Sequence, residues 1–333
     1  MNICILGAGA WGTAMAVHLS RFEHTVTLVP RRLELAMEIA TTRENKKYLP
    51  GFNLDSNLQI GSEVKPVIME ADTLFLACPS KYLRTLCQDV RNHLGEARQL
   101  KLIITLSKGL EEKTNKTPIE VIKEILPEYR VGALCGPNYA GEVAGGKPTA
   151  IVFATSESND VTKSLQQAIS NENLRVYTSQ DVIGVELGAC LKNVYAIAVG
   201  ISDGLQLGDN ARAALITRAL SEMVLVGTSL GGREETFYGL SGVGDLVATC
   251  NGAWSRNRSF GERIAQGDSV KNLIEKHGLT VEGYRSTACF FQICKNKGFR
   301  APIMEEVNAV LYHDKQPKIA LVDLMTRELK AES

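Results

Sequence analysis

The sequence predicts an α/β protein in which an N-terminal, mostly parallel, doubly wound sheet is followed by an all-helical C-terminal part. Short apolar stretches alternate with helical stretches up to about residue 180, and this alternation is typical of a parallel sheet with helices on its faces. Beyond residue 180 only helical patterns remain. We therefore expect one domain over residues 1–180 and a second over 181–333, with the boundary at 179–183.

Composition excludes several classes of protein. The 333 residues suffice for two domains, and 37 basic residues balance 37 acidic ones, so no net charge favours nucleic acid. No apolar run approaches the roughly 20 residues of a membrane span, and the N-terminus lacks the features of a signal peptide. The eight cysteines form no C-x-x-C pair, and most lie in apolar segments. Free thiols in a reducing cytoplasm therefore explain them better than disulfides or a zinc site.

The expected strands begin at the N-terminus. They are Asn2–Leu6, Thr25–Val29, Thr73–Cys78, Leu102–Leu106, Val131–Cys135, Thr149–Ala154 and Leu174–Thr178. Residues 41–62 are polar and mixed, and we expect an ordered surface loop around Asn45–Gly51.

A glycine-rich turn links the first strand to the first helix. Its G-x-G-x-x-G pattern is carried by Gly7, Gly9 and Gly12, with Ala10 and Trp11 between them. The first glycine permits a tight turn, the second lets the backbone approach a pyrophosphate, and the third lets helix and strand pack closely. In this strand–turn–helix context the pattern predicts a dinucleotide site of the Rossmann type.

The residues after the second strand bear on which dinucleotide is bound. A protein that prefers NAD usually has an acidic residue there for the ribose hydroxyls, but this chain has Arg31 and Arg32 and no acid before Glu34. Two guanidinium groups suit the 2′-phosphate of NADPH. NADPH is therefore favoured over NADH, although a solvated basic turn would look the same in sequence.

Three further residues follow the ends of expected strands. Lys108 comes after the fourth strand, and Gly136 and Asn138 come after the fifth. Ligands bind at the carboxyl edge of a doubly wound sheet, so these residues are candidates for a site.

In the C-terminal part, Lys192 is the strongest candidate for chemistry. It lies with Asn193 in an apolar helical run, and the preceding Gly188 and neighbouring small residues would let other segments approach closely. The alternative is a lysine that only reaches to solvent. The expected helices are Val185–Val199, Arg212–Ser229, Ser259–Ala265, Ser269–Lys276, Thr287–Lys297 and Ile303–Tyr312.

Two loops complete the set of candidates. Three glycines lie around Asp245, in a segment that leads to Thr249. Ser255, Arg256 and Asn257 stand at an expected helix start, where N–H groups, an amide and a guanidinium are typical of an anion-binding site. Glu282 opens a later helix. The five histidines lie outside these motifs: His18, His24, His93, His277 and His313.

Taken together, these motifs resemble the NAD(P)-dependent glycerol-3-phosphate dehydrogenase family in its bacterial biosynthetic form. The resemblance spans the chain and rests on blocks in order: GAGAWGTA, NxxYLPG, LSKGLE, GPNYAGE, ELGACLKNVYAIAVGISDGL, GLSGVGDL, SRNR and VEG. Two positions depart from the family pattern. Ala10 stands where serine is more frequent, and Asn138 stands where serine or threonine is usual.

The resemblance implies a reaction and a set of residues. The reaction is reversible reduction of dihydroxyacetone phosphate to sn-glycerol 3-phosphate with NADPH or NADH, which supplies glycerophospholipid synthesis. Lys192 would be the proton donor and acceptor. Substrate would contact Lys108, Gly136, Asn138, Lys192, Asn193, Asp245, Thr249, Ser255, Arg256 and Asn257. The cofactor would contact Gly7, Gly9, Ala10, Trp11, Gly12, Arg31, Arg32, Lys108, Ala140, Arg256 and Glu282.

Alternatives remain at this stage. A related dehydrogenase of the 3-hydroxyacid or ketopantoate type would also use lysine and asparagine, but would recognise a carboxylate. A non-catalytic NADPH-binding sensor could keep the fold. No metal site is expected, and the sequence leaves open whether the chain forms a homodimer.

Overall fold

The structure is a computed structural model that describes residues 1–95, 99–157, 160–276, 281–329 and 331–332. It divides the chain into two compact units. The first comprises residues 1–111 and 116–186, and the second comprises residues 112–115 and 187–333. The sequence-based boundary at 179–183 falls shortly before the division at residue 186, which lies inside a long helix.

The first unit is built around an eight-stranded sheet, and a two-stranded hairpin is not hydrogen-bonded into it. The described strands are β1 (Asn2–Leu6), β2 (Thr25–Val29), β3 (Glu44–Asn45), β4 (Leu49–Asn53), β5 (Gln59–Ile60), β6 (Thr73–Leu76), β7 (Leu102–Thr105), β8 (Arg130–Cys135), β9 (Thr149–Thr155) and β10 (Leu174–Ser179). The helices are α1 (Ala10–Leu19), α2 (Leu33–Thr42), α3 (Val64–Glu70), α4 (Leu83–His93), α5 (Pro118–Ile125), α6 (Ala140–Ala144) and α7 (Asp160–Ile169).

The strand order confirms the predicted fold class. It runs β10-β9-β8-β7-β6-β1-β2-β5, and every neighbouring pair except β8–β9 is parallel. The chain winds outward in one direction through β2 and β5 and in the other through β6, β7 and β8. The direction therefore reverses between β1 and β6, and dinucleotides bind at such a reversal, outside the carboxyl ends of the strands.

The first unit differs from the sequence-based expectation in the segment around Asn45–Gly51. The segment expected to be a loop around Asn45–Gly51 forms the β3–β4 hairpin, with Asn45 paired to Leu49. Strand β9 runs antiparallel to β8, and this is the exception among the described strand pairs of the mostly parallel sheet.

The regular elements described in the second unit are all helical, and the first of its helices begins in the last residues of the first unit. Its helices are α8 (Val182–Gly204), α9 (Asp209–Ser229), α10 (Glu234–Phe237), α11 (Asp245–Asn251), α12 (Arg256–Ala265), α13 (Glu282–Lys297), α14 (Pro302–Tyr312) and α15 (Pro317–Met325). Leu240–Gly244 and Asn272–Lys276 are short π-helical turns. The expected helix at Ser269–Lys276 is therefore largely a π turn, and the sequence patterns did not predict α10, α11 or α15.

The expectation that no apolar run approaches the length of a membrane span is wrong for α8. Its 23 residues are long and apolar enough to cross a bilayer by length and composition alone. However, 89% of its most apolar window is buried within the protein. This burial is what a core helix requires, since such a helix is apolar on all sides.

Candidate functional site

Two glycines of the turn between β1 and α1 have no room for a side chain. Gly7 adopts φ +114°, and a Cβ there would lie 2.3 Å from the carbonyl oxygen of Ala77. A Cβ on Gly12 would lie 2.1 Å from the carbonyl oxygen of Gly7. Both positions therefore need glycine, one for the turn and one for close packing of helix on strand.

Gly9, the second glycine of the motif, faces open space. An added Cβ on Gly9 would meet no atom of the described residues within 4 Å. The first N–H groups of α1, at Ala10, Trp11 and Gly12, begin directly after it, and such groups have no partner inside their own helix. The buried Nε1 of Trp11 also has no hydrogen-bond partner in the described part of the chain. The turn thus fits a pyrophosphate, which would supply the missing acceptors.

A cationic cluster follows the ends of β2 and β6. Arg31 and Arg32 are both exposed, and the guanidinium of Arg31 lies 5.2 Å from the centroid of the Tyr82 ring. Lys81 lies 4.7 Å from the same centroid. The Lys81 ammonium, with a smaller contribution from Arg31, holds the pKa of the Tyr82 hydroxyl below its usual range. A negatively charged group would be attracted here.

Lys108 bridges two strand ends of the first unit. Its Nζ donates to the carbonyl oxygen of Gly136 at 3.0 Å and to Oδ1 of Asn138 at 2.7 Å. Gly136 adopts φ +121°, which explains a glycine at the end of β8. The buried Nδ2 of Asn138 has no partner among the residues described, and Ala140 is buried at the start of α6. This arrangement places an ammonium and a side-chain amide at the carboxyl edge of the sheet.

In the second unit, Lys192 is buried in an ion pair. Its Nζ lies 2.7 Å from Oδ1 of Asp245 and 2.7 Å from Oγ1 of Thr249, and the exposed fractions of the three residues are 6%, 1% and 2%. Asp245 compensates a charge that would otherwise be strongly disfavoured in the interior. The structure therefore joins three of the candidate residues through direct contacts. The sequence did not predict that the carboxylate of Asp245 would pair directly with Lys192.

A chain of amide groups lies next to this ion pair. Asn257 donates through Nδ2 to Oδ1 of Asn193 at 2.8 Å, and Oδ1 of Asn257 accepts the N–H of Gly283 at 3.0 Å. All three residues are buried, and a Cβ on Gly283 would collide with the carbonyl oxygen of Asn193 at 2.5 Å. The glycine is thus needed for α13 to approach α8 and α12.

Ser255 and Arg256 occupy the start of α12. Ser255 is the N-cap residue, and its Oγ accepts the N–H of Arg258 at 3.2 Å. Arg256 is the first helical residue and is exposed, so its guanidinium is presented beside the free N–H groups of the helix start. Glu282 similarly begins α13 and is partly buried.

Close packing of α8 fixes the position of these residues. A Cβ on Gly188 would lie 2.8 Å from the carbonyl oxygen of Ser241, and one on Gly200 would lie 1.9 Å from that of Arg258. Asp203, also on α8, accepts from Nε of Arg258 at 2.7 Å. Sequence reasoning missed this ion pair, although Arg258 belongs to the SRNR block.

The histidines lie apart from these groups where they are described. His18 and His24 bond to the carbonyl oxygens of Ile169 and Ala168, and His277 lies outside the described residues. Within the described ranges, no three His, Cys, Asp or Glu side chains are grouped as metal ligands would be.

Comparison with known proteins extends these observations to the whole chain. Residues 2–161 match the profile of the NAD-dependent glycerol-3-phosphate dehydrogenase N-terminus, and residues 181–322 match that of its C-terminus. A glycerol-3-phosphate dehydrogenase of Syntrophotalea carbinolica that acts with NAD(P)+ is 42% identical over 335 aligned positions, covering 100% of this chain and 99% of that protein. One from Salinibacter ruber is 41% identical, with coverage of 100% and 97%.

Solved structures agree with the sequence comparison. The crystal structure of glycerol-3-phosphate dehydrogenase from Coxiella burnetii is 34% identical, with a TM-score of 0.91 and 98% coverage of both chains. A ketopantoate reductase from Ralstonia eutropha is 17% identical with a TM-score of 0.62, which shows a shared fold alone. Since both halves match one family and full-length relatives exceed 40% identity, the chain belongs to the NAD-dependent glycerol-3-phosphate dehydrogenase family.

Proposed function

We propose that the chain interconverts dihydroxyacetone phosphate and sn-glycerol 3-phosphate with a nicotinamide cofactor. The observation that carries this proposal is the buried contact of Lys192 with Asp245 and Thr249, in a chain that matches the dehydrogenase family along its length. Buried ionisable groups of this kind are frequent at catalytic sites.

Lys192 is the proposed proton donor. The bound cofactor supplies the hydride for reduction of the ketone. The ammonium of Lys192 donates a proton to the carbonyl oxygen of the substrate, and the neutral amine takes it back in the reverse direction. Asp245 and Thr249 hold Nζ of Lys192 in place through their 2.7 Å contacts. Asn193 is the next residue of α8, and its side chain accepts a hydrogen bond from Asn257.

Arg256 is the proposed phosphate ligand. A guanidinium forms paired, charge-assisted hydrogen bonds with a phosphate, and the helix start next to it adds N–H groups and a favourable dipole. Ser255 and Asn257, on either side of Arg256, complete this part of the substrate site. Lys108, Gly136 and Asn138 are also proposed to contact the substrate, since the ammonium of Lys108 and the amide of Asn138 suit a polar molecule.

The cofactor is proposed to be NADPH in preference to NADH. Open space at Gly9 and the unpartnered Nε1 of Trp11 support dinucleotide binding, and the cations around Tyr82 support a 2′-phosphate. The residues proposed to hold the cofactor are Gly7, Gly9, Ala10, Trp11, Gly12, Arg31, Arg32, Lys108, Ala140, Arg256 and Glu282. We place the enzyme in the cytoplasm, where its product would enter glycerophospholipid synthesis.

A substrate comparison with both cofactors tests this function. The purified protein should oxidise NADPH with dihydroxyacetone phosphate, measured from nicotinamide absorbance, and should be nearly inactive with ketopantoate, which carries a carboxylate instead of a phosphate. Tight NADPH binding without turnover on any ketone would instead indicate a sensor.

The same assay addresses cofactor preference. Replacing Arg31 and Arg32 together by alanine should raise the KM for NADPH by roughly tenfold or more and leave that for NADH nearly unchanged, because only NADPH carries the additional phosphate. Equal changes for both cofactors would show that the two arginines do not read the 2′-phosphate.

A further inference from the structure

The β3–β4 hairpin places one fully buried amide against the glycine-rich turn. Asn45 has no exposed surface, and its Nδ2 donates to the carbonyl oxygen of Ala8 at 2.9 Å and to Oγ1 of Thr13 at 2.8 Å. Ala8 lies between Gly7 and Gly9, and Thr13 lies in the first turns of α1. One side chain therefore contacts the turn and the helix that follows it.

Backbone orientation within the turn decides whether it can bind a pyrophosphate. N–H groups must face the phosphate oxygens, and a carbonyl oxygen that faced them would repel the negative charge. Rotation of the Ala8–Gly9 peptide would exchange one group for the other, and the open space at Gly9 does not prevent it. The bond from Asn45 holds the Ala8 carbonyl oxygen on the protein side of the turn.

Asn45 is itself rigidly held. Its Oδ1 accepts the N–H of Tyr48 at 3.3 Å, and Oε1 of Glu44 accepts the N–H of Gly51 at 2.8 Å across the hairpin. Leu49, paired with Asn45 on β4, is buried in the core of the first unit. The amide therefore reaches Ala8 from a fixed position and loses little freedom on making the contact.

We propose that Asn45 is a positioning residue for the cofactor: it fixes the glycine-rich turn in the orientation that accepts the pyrophosphate. This role rests on the cofactor site proposed above and adds to it a residue outside the glycine motif. It also accounts for an asparagine at a fully buried position. Aspartate has the same shape but could not donate to Ala8, and it would place a negative charge beside the phosphates.

The test is the substitution Asn45→Asp, with binding measured by titration calorimetry for NADPH, NADH and adenosine 2′-monophosphate. The affinity for each dinucleotide should fall by roughly tenfold or more, and the two losses should be similar. Both dinucleotides carry the pyrophosphate, and the variant loses a buried contact between neutral groups. Adenosine 2′-monophosphate should bind as in wild type, since it has no pyrophosphate. At saturating NADPH, the turnover of Asn45→Asp should be close to that of wild type.

Asn53→Asp is the matched control, because it makes the same chemical change at an exposed position on β4 of the same hairpin. It should leave all three affinities unchanged. Thr13→Val removes only the second acceptor of Asn45 and should weaken both dinucleotides by a smaller, similar factor. This variant supplies the test should Asn45→Asp fail to fold.

Three results would count against the role of Asn45. Unchanged dinucleotide affinity in Asn45→Asp, or in a folded Thr13→Val where the aspartate variant does not fold, would overturn it. An equal loss for adenosine 2′-monophosphate would show a general structural defect and would also overturn it. Failure of the wild-type protein to bind either dinucleotide would refute the cofactor site itself.

Discussion

At the scale of single residues, the candidate site contains two kinds of charge. The buried charges pair with each other, and the exposed charges can bind a ligand. Lys192 and Asp245 are both buried and pair directly. Arg256 is exposed at a helix start, and the cluster around Tyr82 is exposed as well. Buried pairing fixes a reacting group in place, whereas an exposed guanidinium can exchange water for a phosphate.

The role of Arg256 leads to a substrate-specific prediction. Arg256→Ala should lower kcat/KM for dihydroxyacetone phosphate by roughly tenfold to a hundredfold, because a charge-assisted hydrogen bond to the phosphate is lost. Turnover should fall together with affinity, since phosphate binding also positions the ketone. Arg256→Lys should restore only part of the loss, because a point charge lacks the planar fork. Steady-state kinetics measure both effects.

Dihydroxyacetone without the phosphate separates this role from a structural one. On that poor substrate, the activities of wild type and Arg256→Ala should differ little. If the arginine also contacts the cofactor, the variant should show a small loss of activity that is the same on both substrates. Arg263→Ala, on the same helix but paired with Asp268, is the matched control and should be active on both substrates. An equally large defect on the two substrates would contradict phosphate binding by Arg256.

At the scale of elements, close packing governs one helix end and side-chain capping governs another. Sequence patterns placed the end of α8 near Gly200, but the helix continues to Gly204, because Gly200 packs against the Arg258 carbonyl instead of breaking the helix. Helix α5 begins with a capping box of Thr117 and Glu120. Its Ile119 N–H donates to the carboxylate of Glu186 at 2.9 Å.

Glu186 provides a prediction about stability and pH. Burial raises the pKa of its carboxyl from 4.5 to about 7, and hydrogen bonds from the start of α5 offset only part of that effect. The folded protein therefore holds a proton that the unfolded chain releases above about pH 4.5. Wild type should lose stability through this group as the pH rises from about 4.5 to about 7, by on the order of 3 kcal/mol.

Glu186→Gln tests this dependence, because glutamine is neutral at every pH and can still accept from Ile119. Thermal unfolding should show similar stability for variant and wild type near pH 4.5, and a variant several degrees more stable near pH 8. Glu172→Gln, at an exposed position of the same unit, should show no such trend. A difference for Glu186→Gln that stays constant with pH would contradict an ionisation-linked cost.

At the scale of the whole molecule, regular patterns were predictable and long-range contacts were not. The strands that begin with Asn2–Leu6 and the glycine-rich turn follow from local apolar runs and glycine spacing. The β3–β4 hairpin lacks alternation and contains Pro50 and Gly51, so its sequence resembles a loop. Asn45 meets Ala8 from 37 residues away, and Asp245 meets Lys192 from 53. Only the folded chain reveals such partners.

The residues of the candidate site could be named from family motifs, but their contacts could not. The motif residues around Asp245 suggested proximity to the substrate, whereas the structure shows Asp245 in direct contact with the proposed proton donor. Asp203 belongs to the same block as Lys192, yet its pairing with Arg258 depends on how α12 packs on α8. Side-chain partners follow from tertiary packing, which periodicity does not encode.

The central claim is that Lys192 carries the proton in ketone reduction. The most direct measurement is the turnover of Lys192→Ala and Lys192→Arg with dihydroxyacetone phosphate and NADPH, alongside NADPH binding by calorimetry. Arginine keeps the positive charge beside Asp245 but does not release a proton near neutral pH, so it separates charge from proton donation.

Lys271→Ala, at an exposed position of the same unit, is the control and should be fully active. Both Lys192 variants should bind NADPH nearly as wild type does and lose turnover by at least roughly a hundredfold. Retention of a tenth or more of wild-type turnover by either variant would remove Lys192 from the mechanism.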